Sequence, residues 1–219
     1  MNHFTRNIAN ALVLLTTILS TPCTAEQIKG FDVQLYVDIS ASAIHWTSQD
    51  EIWKQSMVNF ADRLKHKDRL KIYTIGKRLT AVSEWIDKPS TETFNQYVPY
   101  LFLSQVSREW GTCTRDLLSK AASNISIKHG EGQRNLLAIM MDEDEGAAGC
   151  PRLTENEWAA WFEKVATTAN VIVFPLNSDN RFATLLENAS AGQVRNVAIC
   201  RKNSEPGCHS GKLREWRKN

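Results

Sequence analysis

Five oxygen-bearing side chains, spread over three separated segments, carry the chemistry this chain can offer. Asp38, Ser40 and Ser42 occupy alternate positions in FDVQLYVDISAS, Thr112 sits in the turn GTCT, and Asp142 closes the run NLLAIMMD. Carboxylate and hydroxyl oxygens of this kind suit a hard divalent cation such as Mg²⁺. Taken alone, the D-x-S-x-S string also suits a plainer role, in which both serines cap the next helix and Asp38 is a solvated turn residue. The positions of the other two segments separate the two readings.

Both carboxylates close strand-like runs. Phe31 to Val37 is β-rich and nearly continuously apolar, as a central strand of a parallel sheet reads when helices cover both faces. Leu136 to Met141 repeats that pattern and again ends on a carboxylate, Asp142. Thr112 follows Gly111 and precedes the helical stripe Leu117, Leu118, Ala121, Ala122 and Ile125, which sets hydroxyls beside the positive end of a helix dipole. Thr114 is a second candidate for that hydroxyl, with Thr112 preferred for its place after Gly111 and its distance to Leu117. In a parallel sheet, adjacent strand ends and the following helix N-termini crowd one edge, where open α/β sheets hold their ligands. The five side chains can therefore converge there.

The rest of the chain supplies the elements that must position them. Ser48 and Asp50 mark a helix start, and Ile52, Trp53, Met57, Phe60, Ala61 and Leu64 follow at helical spacing. Leu70 to Ile75 reads as a strand, and a shorter one from Thr80 to Ile86 follows so closely that it must be antiparallel to its neighbour. Thr91 to Leu103 and Glu155 to Thr168 read as helices, VIVFPLN as a strand, Asn180 to Ala189 as a helix, and Gly192 to Ile199 as the last strand. Strands separated mostly by helices predict an α/β fold: a doubly wound, mostly parallel six-stranded sheet with helices on both faces and one antiparallel edge strand.

At 219 residues the chain suits one such domain, and a formal charge of +2 gives no reason to expect a nucleic-acid or membrane-surface protein. Residues 1–25 read as a signal peptide: Arg6 precedes IANALVLLTTILST, and Cys23-Thr24-Ala25 offers small residues at a cleavage site after Ala25. The apolar run is short for a transmembrane helix. Ser20-Thr21-Pro22 lacks the Leu and small residues of a lipoprotein site. The expectation is an exported protein, periplasmic sooner than extracellular, with a domain at 26–199 and a polar, basic tail at 200–219. The remaining cysteines, Cys113, Cys150, Cys200 and Cys208, then favour two disulfides over a zinc site. Three pairings are possible. Proximity favours Cys200 with Cys208, which leaves Cys113 with Cys150.

The chain resembles the von Willebrand factor A domain family over about Phe31 to Ile199. DISAS matches that family's D-x-S-x-S, GTCTRDLL looks like its G-T-x-x-x-x-A/L segment, MMD looks like its strand-terminal Asp, and VIVFPLN followed by LLENASAGQVRNV looks like its last strand, helix and strand. The resemblance implies a Rossmann-like fold with a metal-ion-dependent adhesion site. It implies that Ser40, Ser42 and Thr112 supply hydroxyl ligands, with Asp38 and Asp142 binding directly or through water. Few directly bound carboxylates leave a bound Mg²⁺ or Mn²⁺ electron-poor, so that it seeks an acidic group from a protein partner. The family often has Gly after the last Asp; this chain has Glu143-Asp144-Glu145.

The function expected is thus a metal-dependent protein-binding module within an envelope or surface assembly, and not an enzyme. Two alternatives stand beside it. A metal-assisted phosphohydrolase would want a second carboxylate two residues after Asp38, where the chain has Ser40. A metal-free scaffold would act through its surface and tail. His45, His66, His129 and His209 are scattered and show no zinc-binding spacing.

Overall fold

A single strand, β1 (Phe31–Asp38), lies at the middle of the sheet, and all eight of its residues are buried. The computed structural model describes residues 30–40, 42–43, 51–76, 79–97, 101, 113–125, 133–142, 150–176, 180–204 and 207–218. Among them, β1 pairs in parallel with β2 (Arg69–Ile75) on one side. On the other side it pairs in parallel with β5 (Arg134–Met141), which is followed by β6 (Ala169–Pro175) and β7 (Val197–Ile199). The remaining two strands, β3 (Leu79–Ala81) and β4 (Ile86–Asp87), are short, and both pair with β2 antiparallel. The order β3-β2-β1-β5-β6-β7 reverses direction at β1, so the boundary between β1 and β5 is the topological switch point of the sheet.

Alternation along the strands builds two cores. Val33, Leu35 and Val37 face α1 (Glu51–Arg63), which buries Trp53, Met57, Phe60 and Ala61 at three- and four-residue spacing. Glu51 in the first turn of α1 and Arg63 in the last complement its dipole. On the opposite face, Leu137, Ile139, Val171 and Val173 pack against α3 (Thr114–Ile125), α4 (Glu155–Ala166) and α5 (Arg181–Ser190). A short helix, α2 (Thr91–Asn95), is capped by Ser90, whose hydroxyl accepts from the Thr93 amide.

Polar residues buried in β1 are satisfied by specific partners, as burial demands. Arg69 donates from Nε and Nη2 to the two oxygens of Asp32, at 2.9 and 2.7 Å. Tyr36 donates to Gln34, and the Asn124 amide donates to the Tyr36 hydroxyl. Burial pushes the Tyr36 phenol well above its ordinary range. Just ahead of β1, a Cβ on Gly30 would stand 2.0 Å from the Lys67 carbonyl oxygen, so only glycine allows the chain to enter the sheet this close to residue 67.

Four expectations change. The third strand is two short pieces, so that among the described residues the sheet has seven strands instead of six and two antiparallel ones instead of one. The last strand is only Val197–Ile199: helical backbone continues past α5 as a 3-10 turn at Ala191–Gln193, leaving three residues to pair with β6. The helix expected from Thr91 to Leu103 is interrupted by a turn at Gln96 and Tyr97; Leu101 is helical again and its amide donates to the Tyr97 carbonyl, while 98–100 and 102–103 lie outside the described residues. Finally, the polar tail contains α6 (Gly207–Trp216), whose His209, Leu213 and Trp216 are buried against the α1 side of the sheet. Its basic residues hid three inward positions. The expected signal peptide lies outside the described residues. Among those residues, no helix is long and apolar enough to cross a membrane.

Candidate metal centre

The pairing of β1 with β2 continues one step past Asp38, where the Ile39 amide donates to the Ile75 carbonyl. The chain then turns. Asp38 Oδ1 accepts from the Ser40 amide at 2.8 Å, a carboxylate closing on its own backbone two residues ahead. Ser40 Oγ accepts from the Ala43 amide at 3.3 Å and stands 3.2 Å from Ser42 Oγ. Ser42 and Ala43 already have helical backbone, so Ser40 does cap a helical turn.

Capping does not account for the burial. A turn carboxylate serving only its turn belongs in water, yet Asp38 and Ser40 have no exposed surface and Asp142 only 2 %. Register brings the two strand ends to the same edge: Val37 pairs with Met140, so Asp38 falls beside Met141, and Asp142 directly follows the end of the adjacent strand. Neighbouring strands run about 4.8 Å apart. Two carboxylates withdrawn from water at neighbouring strand ends call for cations or donors that compensate their charge. With the Ser40 and Ser42 hydroxyls in the turn that follows Asp38, this oxygen-only donor set fits a hard divalent cation and gives no thiolate or imidazole for a softer one. Among the described residues, no group of three or more His, Cys, Asp or Glu is arranged to hold a metal, so a cation at this edge would depend on the hydroxyls.

The third segment is described in part. Thr112 lies outside the described residues, as do Gly111 and the acidic run 143–145. Thr114, the alternative hydroxyl, is the first residue of α3 and lines a small cavity with Asp142, Arg152, Leu153 and Trp158. The start of α3 therefore lies beside the end of β5. Sequence reasoning passed over Arg152, whose only signal is its place two residues after Cys150. A larger concavity at the opposite edge of the sheet is lined by Gln133, Arg134, Asn135, Thr168 and Asn196, far from these groups along the strands.

Two bridges form, Cys113–Cys150 and Cys200–Cys208, the pairing that proximity favours. Beside the first, Arg115 donates to Glu157 at 2.7 Å. The Thr154 backbone amide, Arg115 and the Thr154 hydroxyl together draw the Glu157 carboxyl down to about 2. Thr154 and Glu157 form a reciprocal capping box at the start of α4. Of the histidines, His66 is exposed, and His209 is fully buried, with its ring 5.9 Å from that of Phe60 and 6.0 Å from that of Phe174. His45 and His129 lie outside the described residues.

The architecture is that of von Willebrand factor A domains. A von Willebrand factor type A structure from Catenulispora acidiphila superposes with a TM-score of 0.57 at 10% identity, over 86% of this chain and 42% of that one. An aerotolerance-related membrane protein from Bacteroides fragilis superposes at 0.59 with 13% identity, over 87% of this chain and 100% of that one. The manganese-loaded TRAP protein of Plasmodium vivax gives 0.57 and 13% identity, over 81% of this chain and 70% of that one. This chain thus spans less than half of the solved Catenulispora chain but the whole of the solved Bacteroides chain. No family model matches the sequence, and no curated protein matches it.

Proposed function

We propose that this chain is an exported, non-enzymatic binding module that grips an acidic side chain of a protein partner through a divalent cation. Asp38, Ser40, Ser42, Thr112 and Asp142 hold the cation, which is Mg²⁺ or Mn²⁺. The observation that carries the reading is the pair of buried carboxylates on adjacent strands at the switch point, with two serine hydroxyls 3.2 Å apart beside one of them. When bound, the cation supplies an electrophilic position for a partner carboxylate. The chain's own residues orient and restrain. Asp38 folds the backbone so that Ser40 and Ser42 turn toward each other, and the helical turn at Ser42 holds that arrangement.

Manganese in the TRAP structure supports a divalent cation in this fold, and the two disulfides support export to an oxidising compartment, for which the periplasm is our assignment. Ser40 stands where a phosphohydrolase of this arrangement would place its acid–base carboxylate, which supports binding over turnover.

Calorimetric titration of Mg²⁺ and Mn²⁺ into the wild type and a Ser40→Ala/Ser42→Ala variant tests the reading. Binding by the wild type and none by a folded variant is the expected result. No binding by either protein removes the metal from the proposal.

A further inference from the structure

The Cys113–Cys150 bridge joins the two segments that, on the reading above, carry Thr112 and Asp142. Cys113 directly follows Thr112 and precedes α3, and Cys150 ends the stretch of chain that leaves Asp142. With Cα atoms 5.4 Å apart, the start of α3 and the approach to α4 are held side by side. Among the described residues, two further polar ties join these elements. The Arg115–Glu157 ion pair has side chains 49% and 37% exposed, and pairs so open to solvent contribute little. Trp161 donates its indole N–H to the Leu118 carbonyl at 3.0 Å, a full turn farther along α3. The disulfide is therefore a covalent constraint at the end of α3 that lies beside Asp142.

We propose that Cys113–Cys150 is a positioning element of the metal centre, and that cation affinity depends on it more than the fold does. This inference rests on the metal-binding reading. Oxygen ligands drawn from three separate segments must be brought into place when the cation binds, and a bridge that fixes the start of α3, next to Thr112, against the approach to α4 beforehand lowers that penalty. Cys200–Cys208 provides the comparison, since it ties α6 to the end of β7, at the far edge of the sheet.

The test is calorimetry with Mn²⁺ and Mg²⁺ on the full oxidised chain, on Cys113→Ser/Cys150→Ser and on Cys200→Ser/Cys208→Ser, with circular dichroism and thermal unfolding of each. The first variant is expected to keep its far-ultraviolet spectrum and lose about tenfold in affinity, the scale on which groups supporting metal ligands act. The second is expected to lose stability and bind as the wild type does. A bridge with only a structural role would lower stability in both variants and leave both affinities unchanged, which overturns the positioning role while the metal reading stands. Failure to fold by both the serine pair and a Cys113→Ala/Cys150→Ala pair also overturns it, because the fold would then depend on the bridge first. A wild type that binds neither ion overturns the metal reading and this inference with it.

Discussion

Arg217 donates to the carboxylate of Asp68, 149 residues earlier in the chain, and so fastens the C-terminal turn to the loop that opens β2. Asp68 also accepts from the amides of Phe31 at 2.8 Å and Lys65 at 2.6 Å, and the Arg217 guanidinium lies 5.3 Å over the Phe31 ring. One buried carboxylate thus joins the starts of two central strands to the last helix.

Removing the arginine leaves a buried charge with backbone donors alone. Arg217→Ala is expected to cost about 2 kcal/mol, less than a bare buried ion because two amides remain. Chemical denaturation measures it. A variant as stable as the wild type would show that the pair is only geometric.

Trp216 is 2% exposed, and its indole N–H donates to the Arg195 carbonyl at 2.6 Å. Trp216→Ala should therefore cost about 3–5 kcal/mol, as large aromatic deletions from cores do. A solvated tail would lose nothing. The same denaturation measurement separates a core helix from an appendage.

Acid should act through Glu157. Its carboxyl falls from the ordinary 4.5 to about 2, first through the Thr154 backbone amide, then through Arg115 and the Thr154 hydroxyl. A depressed folded-state value gives a contribution that is complete above about 4.5 and is lost as pH falls toward about 2. Thermal unfolding of wild type and Glu157→Gln over this range should show the wild type ahead at neutral pH, with the gap closing on acidification. A gap constant across the window would remove the ion pair and cap as its source.

Cation binding should appear as stability. At a hundredfold excess over its dissociation constant, a ligand that binds only the folded state adds about 2.7 kcal/mol. For a domain of this size that is roughly 5–10 °C in Tm. Mn²⁺ should raise the wild-type transition and a chelator should reverse the shift. An equal shift in Ser40→Ala/Ser42→Ala would place the ion elsewhere.

Much of the candidate site was legible because its signals are local. Asp38 and Asp142 each end an apolar run, and strand ends are visible in the change from buried to polar residues. Ser40 was ambiguous for a local reason too: the hydroxyl that faces Ser42 also caps a turn, and either role asks for the same residue. Arg152 was invisible because its nearness to Asp142 depends on how α4 packs beside β5.

The tail marks the same limit. Only His209, Leu213 and Trp216 of α6 are buried, a stripe too sparse to stand out among lysines and arginines. Its place in the core is set by a hydrophobic surface built from α1 and β6, residues more than thirty positions away. By itself the sequence determined the alternation of strands and helices and the oxygen-rich strand ends, because each follows from side chains close together in the chain. Tertiary structure alone decided that β5 lies against β1, that Cys113 meets Cys150, and that α6 closes the α1 face. Those are pairings between distant segments, and only the shared burial of their surfaces selects them.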